Sequence, residues 1–189
     1  MAEKRTKKTA GRVLLVPLGH PPRALLDPVS RAAREIFGLA GRLGERIDLP
    51  PWTYLPERRQ YDSTEILRFL GRRAAGEEKI LGVTDADICV SLFTYVFGEA
   101  ELPGRAAIVS MRRFRQAFYG LPDDAALTEA RTVKEALHEL GHTLGLVHCI
   151  DASCLMHAAD TVEDTDVKRR TLCPRCLARL GETVSGRDG

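Results

Sequence analysis

Four of the chain's five histidines fall between positions 138 and 157. Three of them share one segment, His138-Glu139-Leu140-Gly141-His142-Thr143-Leu144-Gly145-Leu146-Val147-His148. Residues four apart on an α-helix lie about 40° apart around its axis, so His138 and His142 stack on one face and can address one ion. A third residue on that helix would be too nearly in line to complete a tetrahedron, so the chain must turn. Gly145 is placed to turn it, because a residue without a β-carbon enters the left-handed region at no steric cost. His148 then returns from another side. Three imidazoles leave one position of a four-coordinate zinc open to water, which is the pattern of a catalytic site.

Glu139 supplies the chemistry. Next to the first ligand, it reaches toward the ion without binding it. It is expected to take a proton from zinc-bound water and pass one to the leaving amine, while the metal polarises the scissile carbonyl. The competing explanation is a surface helix with incidental histidines. The glycine, the third histidine and the cysteine that follows it weigh against that explanation.

A second cluster lies directly downstream. Cys173-Pro174-Arg175-Cys176 is a two-residue-spaced pair of thiols, and Cys149 and Cys154 form another with four residues between them. Four thiolates saturate zinc and exclude water, so this second zinc is expected to be structural. Adjacent side chains of extended backbone point to opposite sides, which lets His148 serve one ion and Cys149 the other. Disulfides, a redox pair and a nucleic-acid-reading zinc ribbon are the competing readings. The arginines near Cys176 carry no interleaved aromatic residue, which weighs against the ribbon. The fifth cysteine, Cys89, sits between Ile88 and Val90 and reads as a small buried hydrophobe.

The 189 residues suit one core of ordinary size, with 44% hydrophobic and 29% charged residues. A net charge of +2 gives no electrostatic case for nucleic acid, and no apolar run approaches the roughly 20 residues that span a bilayer. The start is basic but lacks the apolar core of an export signal. A strand is expected over 12–16, a helix over 27–43 and a short strand over 45–49. A helix capped at Asp62-Ser63 follows and fades near Gly76. Strands are expected over 79–83, 88–96 and 106–111, and the strongest helix runs over 126–144, capped by Asp123 or Asp124. Beyond Gly145 the chain reads as irregular except for a helical turn near Cys176 to Leu180. The implied division is a tail over 1–11, one domain over 12–184 and a tail over 185–189. Within the domain, 12–145 would form an upper part and 146–184 a lower part.

The continuous pattern from His138 through His148-Cys149, Cys154 and Met156 to Cys173 and Cys176 resembles the archaemetzincins, a family of the metzincin clan of zinc metallopeptidases. Arg59-Gln60-Tyr61-Asp62, Leu81-Gly82-Val83-Thr84-Asp85 and Gly104-Arg105-Ala106-Ala107 extend the resemblance over about 12–180. It implies an α+β fold: a mixed, twisted β-sheet with packed helices, an active-site helix and a zinc-clipped C-terminal segment. It implies His138, His142 and His148 on the catalytic zinc, Glu139 as general base, and Cys149, Cys154, Cys173 and Cys176 on the structural zinc. Gly145 would be the turn glycine and Met156 the methionine of the Met-turn, an apolar floor under the imidazoles. Residue by residue, Met156 reads equally well as core filler. A peptide would lie along an edge strand near Phe93 to Phe97, or at Ala106 to Met111. Some clan members place a tyrosine soon after this methionine; here His157 follows, and His157, Tyr61 and Tyr95 are the candidates for its role.

The function these residues imply is a cytoplasmic zinc metallopeptidase, monomeric by default, with two zinc ions per chain and a peptide or protein substrate. Neither nucleic acid nor membrane is an expected partner. Endopeptidase and aminopeptidase fit equally. The alternative is a zinc-stabilised binding or regulatory protein with little turnover, and Glu139 separates the two, since a pure binding module has no use for it.

Overall fold

Side-chain alternation organises the sheet. In strand β1 (Gly11–Leu18), Val13 and Leu15 face one layer of the core while Val16 and Leu18 face the other. The computed structural model describes residues 11–74, 76 and 78–185. The expected tails over 1–11 and 185–189 therefore lie outside it, apart from Gly11 and Ser185.

Helix α1 (Leu26–Phe37) buries Val29, Ala32, Ala33 and Phe37, a spacing of three and four that lays one apolar stripe on the sheet. Periodicity alone predicts this helix to continue to Leu43. It stops because Gly38 takes a left-handed conformation (φ 70), and Leu39–Leu43 becomes strand β2, parallel to β1. The strand expected over 45–49 reduces to one bridge between Ile47 and Leu18.

A small three-stranded sheet forms from β3 (Tyr54–Leu55), β4 (Gln60–Asp62) and β6 (Ile88–Cys89). Helix α2 (Ser63–Gly71) starts where expected, with the Asp62 carboxylate accepting the Glu65 backbone N–H at 3.1 Å. Strands β5 (Lys79–Thr84), β7 (Gly98–Ala100) and β8 (Ala106–Ser110) complete the large sheet, whose order is β2-β1-β5-β8-β7. All its neighbours are parallel except β7, which closes one edge antiparallel to β8. The strand expected over 88–96 is only two residues long, and the rest is a loop. Ala106–Ser110 lies inside the sheet, whose two edges are β2 and β7, so the edge beside the histidine-bearing segment is Gly98–Ala100 and not either segment expected to hold substrate.

The long helix α3 (Ala125–Thr143) opens with the Asp124 carboxylate accepting the Leu127 N–H at 2.9 Å. Its Val133, Ala136, Leu137 and Leu140 share one core layer with Leu81, Val83, Ala107 and Val109 of the sheet. Ile66 and Leu70 of α2 fill the opposite layer with Ile80 and Ile108. This sandwiching lays the C-terminal half of α3 beneath β7 and β8. After it come α4 (Val162–Val167), which the pattern reading does not anticipate, and α5 (Pro174–Ser185), longer than the turn expected near Cys176. The class is the expected mixture of α and β.

Candidate metal centres and cleft

Helix α3 ends in a pair of bonds that reverse the chain. The Leu146 N–H reaches the Gly141 carbonyl at 3.0 Å and the Gly145 N–H the His142 carbonyl at 2.8 Å, with Gly145 at φ 93. This is a Schellman ending, and the left-handed glycine is what allows it. The turn returns His148 to the helix: its ring centroid lies 5.3 Å from that of His138 and 4.9 Å from that of His142. One ring nitrogen from each of the three lies within 4.8 Å of the others.

The outer nitrogens explain which atoms face inward. His138 Nδ1 donates to the Leu155 carbonyl at 2.9 Å and His142 Nδ1 to the Leu146 carbonyl at 2.8 Å, since a carbonyl can only accept. Both Nε2 atoms then carry lone pairs in the neutral rings, and they face each other 3.1 Å apart. Two lone pairs so placed repel unless a cation lies between them. The spacing is close to the edge of about 3.3 Å expected of a tetrahedron with Zn–N near 2.0–2.1 Å. Burial holds His138 and His142 below the ordinary imidazole range, which favours the neutral ligand form. The residues present therefore fit zinc. His148 is the solvent-facing member.

Glu139 lies across the edge strand. A methyl group at position 98 would sit 2.7 Å from Glu139 Cγ and Oε1, so glycine there is what lets the carboxyl lie against β7. Its carboxyl is raised well above the ordinary range, first by burial and then by the negative Glu135, with Lys168 opposing. Lys168 donates to Glu135 Oε2 at 3.0 Å, and its side chain is completely buried. Glu135 and Lys168 are site residues that sequence reasoning misses. Glu135 precedes Glu139 by one helical turn, a usable signal, whereas nothing in the sequence marks Lys168.

The cleft beside these groups is a cavity of about 520 Å³ between β7 and the 158–160 segment, lined among others by Tyr95, Glu135, His138, Glu139, His148 and Asp160. The loop above it is fastened from below: Gln60 Nε2 and Arg58 Nη2 donate to the Thr94 carbonyl at 2.9 and 3.0 Å. Of the three candidates for the tyrosine role, Tyr95 lines the cavity, its hydroxyl donating to the Asp160 carbonyl at 2.8 Å. His157 Nδ1 donates to the Cys149 carbonyl at 2.8 Å, and Tyr61 packs on Tyr54 at 5.0 Å in the small sheet.

The four cysteines meet behind the histidines. Cys149, Cys154, Cys173 and Cys176 bring their sulfurs within 4.8 Å of one another, and none is in a disulfide. Burial pushes the Cys149 thiol up. Hydrogen bonds from the Asp151 backbone, Arg175 and the neighbouring thiols outweigh it, bringing the value down to about 7. The Cys149 N–H donates to the Met156 carbonyl at 2.8 Å, and Met156 is wholly buried under Gly141 of α3. The two clusters thus share one short scaffold, because Leu155, whose carbonyl orients His138, sits between Cys154 and Met156. Cys89 is buried away from both, as read from its apolar strand.

A soft four-sulfur site behind a half-open three-nitrogen site, with a carboxyl at the mouth of a cleft, defines a zinc-dependent metallopeptidase. Similarity to known proteins gives the same answer. Residues 58–182 match peptidase family M54. The chain is 38% identical over 169 residues to the archaemetzincin of Methanocaldococcus jannaschii, covering 89% of this chain and 92% of that one. The crystal structure of an archaemetzincin from Methanopyrus kandleri superposes with a TM-score of 0.83 at 30% identity, covering 95% and 99% of the two chains. That of a zinc-dependent peptidase from Methanocorpusculum labreanum gives 0.79 at 30%, covering 89% and 99%. The chain belongs to peptidase family M54, the archaemetzincins. Its substrate class is peptide or protein, and among the described residues no helix is long and apolar enough to cross a membrane.

Proposed function

We propose that His138, His142 and His148 hold the catalytic zinc of this peptidase and that Glu139 is its general base. The observation that carries the reading is the pair of buried imidazoles whose outer nitrogens are spent on carbonyls and whose inner nitrogens converge with a third. Bound there, zinc supplies a Lewis acid that polarises the substrate carbonyl and acidifies water. Glu139 accepts the proton that the attacking water gives up and hands it to the amine nitrogen as the peptide bond breaks. The substrate backbone pairs with the free edge of β7, which leaves its scissile bond opposite Gly98 and Glu139.

Cys149, Cys154, Cys173 and Cys176 hold the second zinc, which is structural because four thiolates leave no position for water. Gly145 makes the turn that brings His148 to the ion, and Met156 is the methionine of the Met-turn, an apolar floor beneath the histidines. Residues 12–184 form one peptidase unit, with 12–145 above the cleft and 146–184 below it. Four cysteines gathered for a metal rather than paired in disulfides support a reducing compartment, the cytoplasm. Both metal sites are complete within one chain, which supports a monomer.

Metal analysis tests the ligand sets. Wild type is expected to bind two zinc ions, H142A one, and C176A one. An H142A protein that still holds two would overturn the assignment.

A further inference from the structure

The cleft does not end at the first cavity. A second lobe of about 660 Å³ adjoins it, and Phe93, Val96, Gly98, Glu139 and His148 line both. Its walls are Val90, Phe93, Val96, Ala100, Leu102 and Val147. Three of these leave large apolar surface in solvent: Phe93 is 62% exposed, Leu102 49% and Val147 43%. Singly, exposed hydrophobic residues are ordinary; three around one depression that opens onto the reacting carboxyl mark a surface that a ligand covers.

The lobe is also short of charge. Among the described residues its one acidic group besides Glu139 is Glu99, whose carboxylate is held by the Ser63 and Thr64 hydroxyls at the start of α2, the latter donating at 2.9 Å. An anionic side chain entering the lobe would lose its water and face the two carboxyls, while a cationic one would find Glu99 already engaged by two hydroxyls. The first lobe shares Phe93 and Val96 and adds Phe97, Ala158 and Ala159, but it also carries the polar groups of Glu135, Tyr95 and Asp160.

Direction follows from the edge strand. Antiparallel pairing is the more stable arrangement per residue, and a peptide so paired runs from the Ala100 end of β7 toward Tyr95. Its residues on the amino side of the cut then lie over the second lobe. We infer, resting on the peptidase reading above, that this lobe is a specificity pocket for an aliphatic or aromatic side chain on the amino side of the scissile bond. Leu102, at its rim, is a specificity-determining residue.

The test uses zinc-loaded full-length protein and peptides identical except for the residue before one defined bond, which is Leu, Phe, Ala, Asp or Lys. The kcat/KM for Leu and Phe is expected to exceed that for Asp and Lys by about tenfold or more, the scale of discrimination by an apolar pocket. L102K is expected to depress cleavage after Leu and improve it after Asp, shrinking that ratio about tenfold. Flat rates, or an unchanged ratio in L102K, would overturn the pocket while leaving the peptidase standing. If no peptide is cut, the peptidase reading fails, and the pocket is judged by calorimetric affinity of the same peptides for zinc-loaded E139Q. Tenfold tighter binding of the Leu and Phe peptides than of the Asp and Lys peptides upholds it, and equal or undetectable binding overturns it.

Discussion

Replacing Gly141 by alanine puts a methyl group where Met156 already sits. The new carbon would lie 2.5 Å from the Met156 sulfur, 3.0 Å from its terminal methyl and 3.6 Å from Leu146 Cδ1. Met156 is wholly buried and has no solvent to move into. Two effects then oppose each other. Alanine in a helix interior is better than glycine by about 1 kcal/mol, while forcing a methyl into a packed core costs about 1–3 kcal/mol. With about 2 kcal/mol for the clash, G141A loses about 1 kcal/mol, roughly 2–4 °C in Tm for a chain of this size. Truncating Met156 alone removes the clash partner but opens a cavity, at about 2–5 kcal/mol. In the M156A background the methyl at 141 meets no sulfur and only the helix gain remains, so G141A there should raise Tm. The coupling between the two changes is about 2 kcal/mol, the difference between these effects. Thermal unfolding at one fixed zinc concentration measures it, because bound metal shifts apparent stability by mass action. If G141A has the same effect in both backgrounds, the glycine is not there to admit the methionine.

Further outcomes follow from the same contacts. K168M strands the Glu135 carboxylate in a buried site, and should cost about 3–5 kcal/mol by denaturant unfolding, most of it recovered in K168M/E135Q. Full stability in K168M would show that the pair is not charged in the folded protein. C173A should lower zinc content by one ion per chain and lower Tm, checked by elemental analysis and calorimetry; unchanged metal content contradicts a four-cysteine site. A mild chelator should remove zinc from the histidine site first, since His148 faces solvent while three of the four cysteines are buried. Activity is then expected to vanish with little change in Tm and to return on adding zinc. Loss of the cysteine-bound ion first would reverse this order.

Helix periodicity made the metal chemistry readable, because the stacking of His138 and His142 follows from spacing alone and Gly145 announces the turn. Edges and partners were harder. Leu39–Leu43 looks helical because its leucines continue the apolar spacing of α1, and only the left-handed Gly38 separates helix from strand. Strand β7 has three half-buried residues, Gly98, Glu99 and Ala100, none branched at the β-carbon, so no pattern marks it as the free edge. Helix α4 did carry a signal: Thr161 and Asp164 form a reciprocal capping box of the kind that opens helices. The Lys168–Glu135 pair joins residues 33 apart in sequence, and a single lysine carries no trace of such a partner.

The peptidase assignment depends on Glu139 acting in peptide-bond hydrolysis at a three-histidine zinc site. The most direct measurement incubates a diverse peptide mixture with wild type and E139A, each carrying two zinc ions, and identifies products by mass spectrometry. New termini are expected with wild type alone, with metal content and Tm nearly equal in the two proteins. Equal products, or none from either protein at confirmed zinc occupancy, would contradict the assignment.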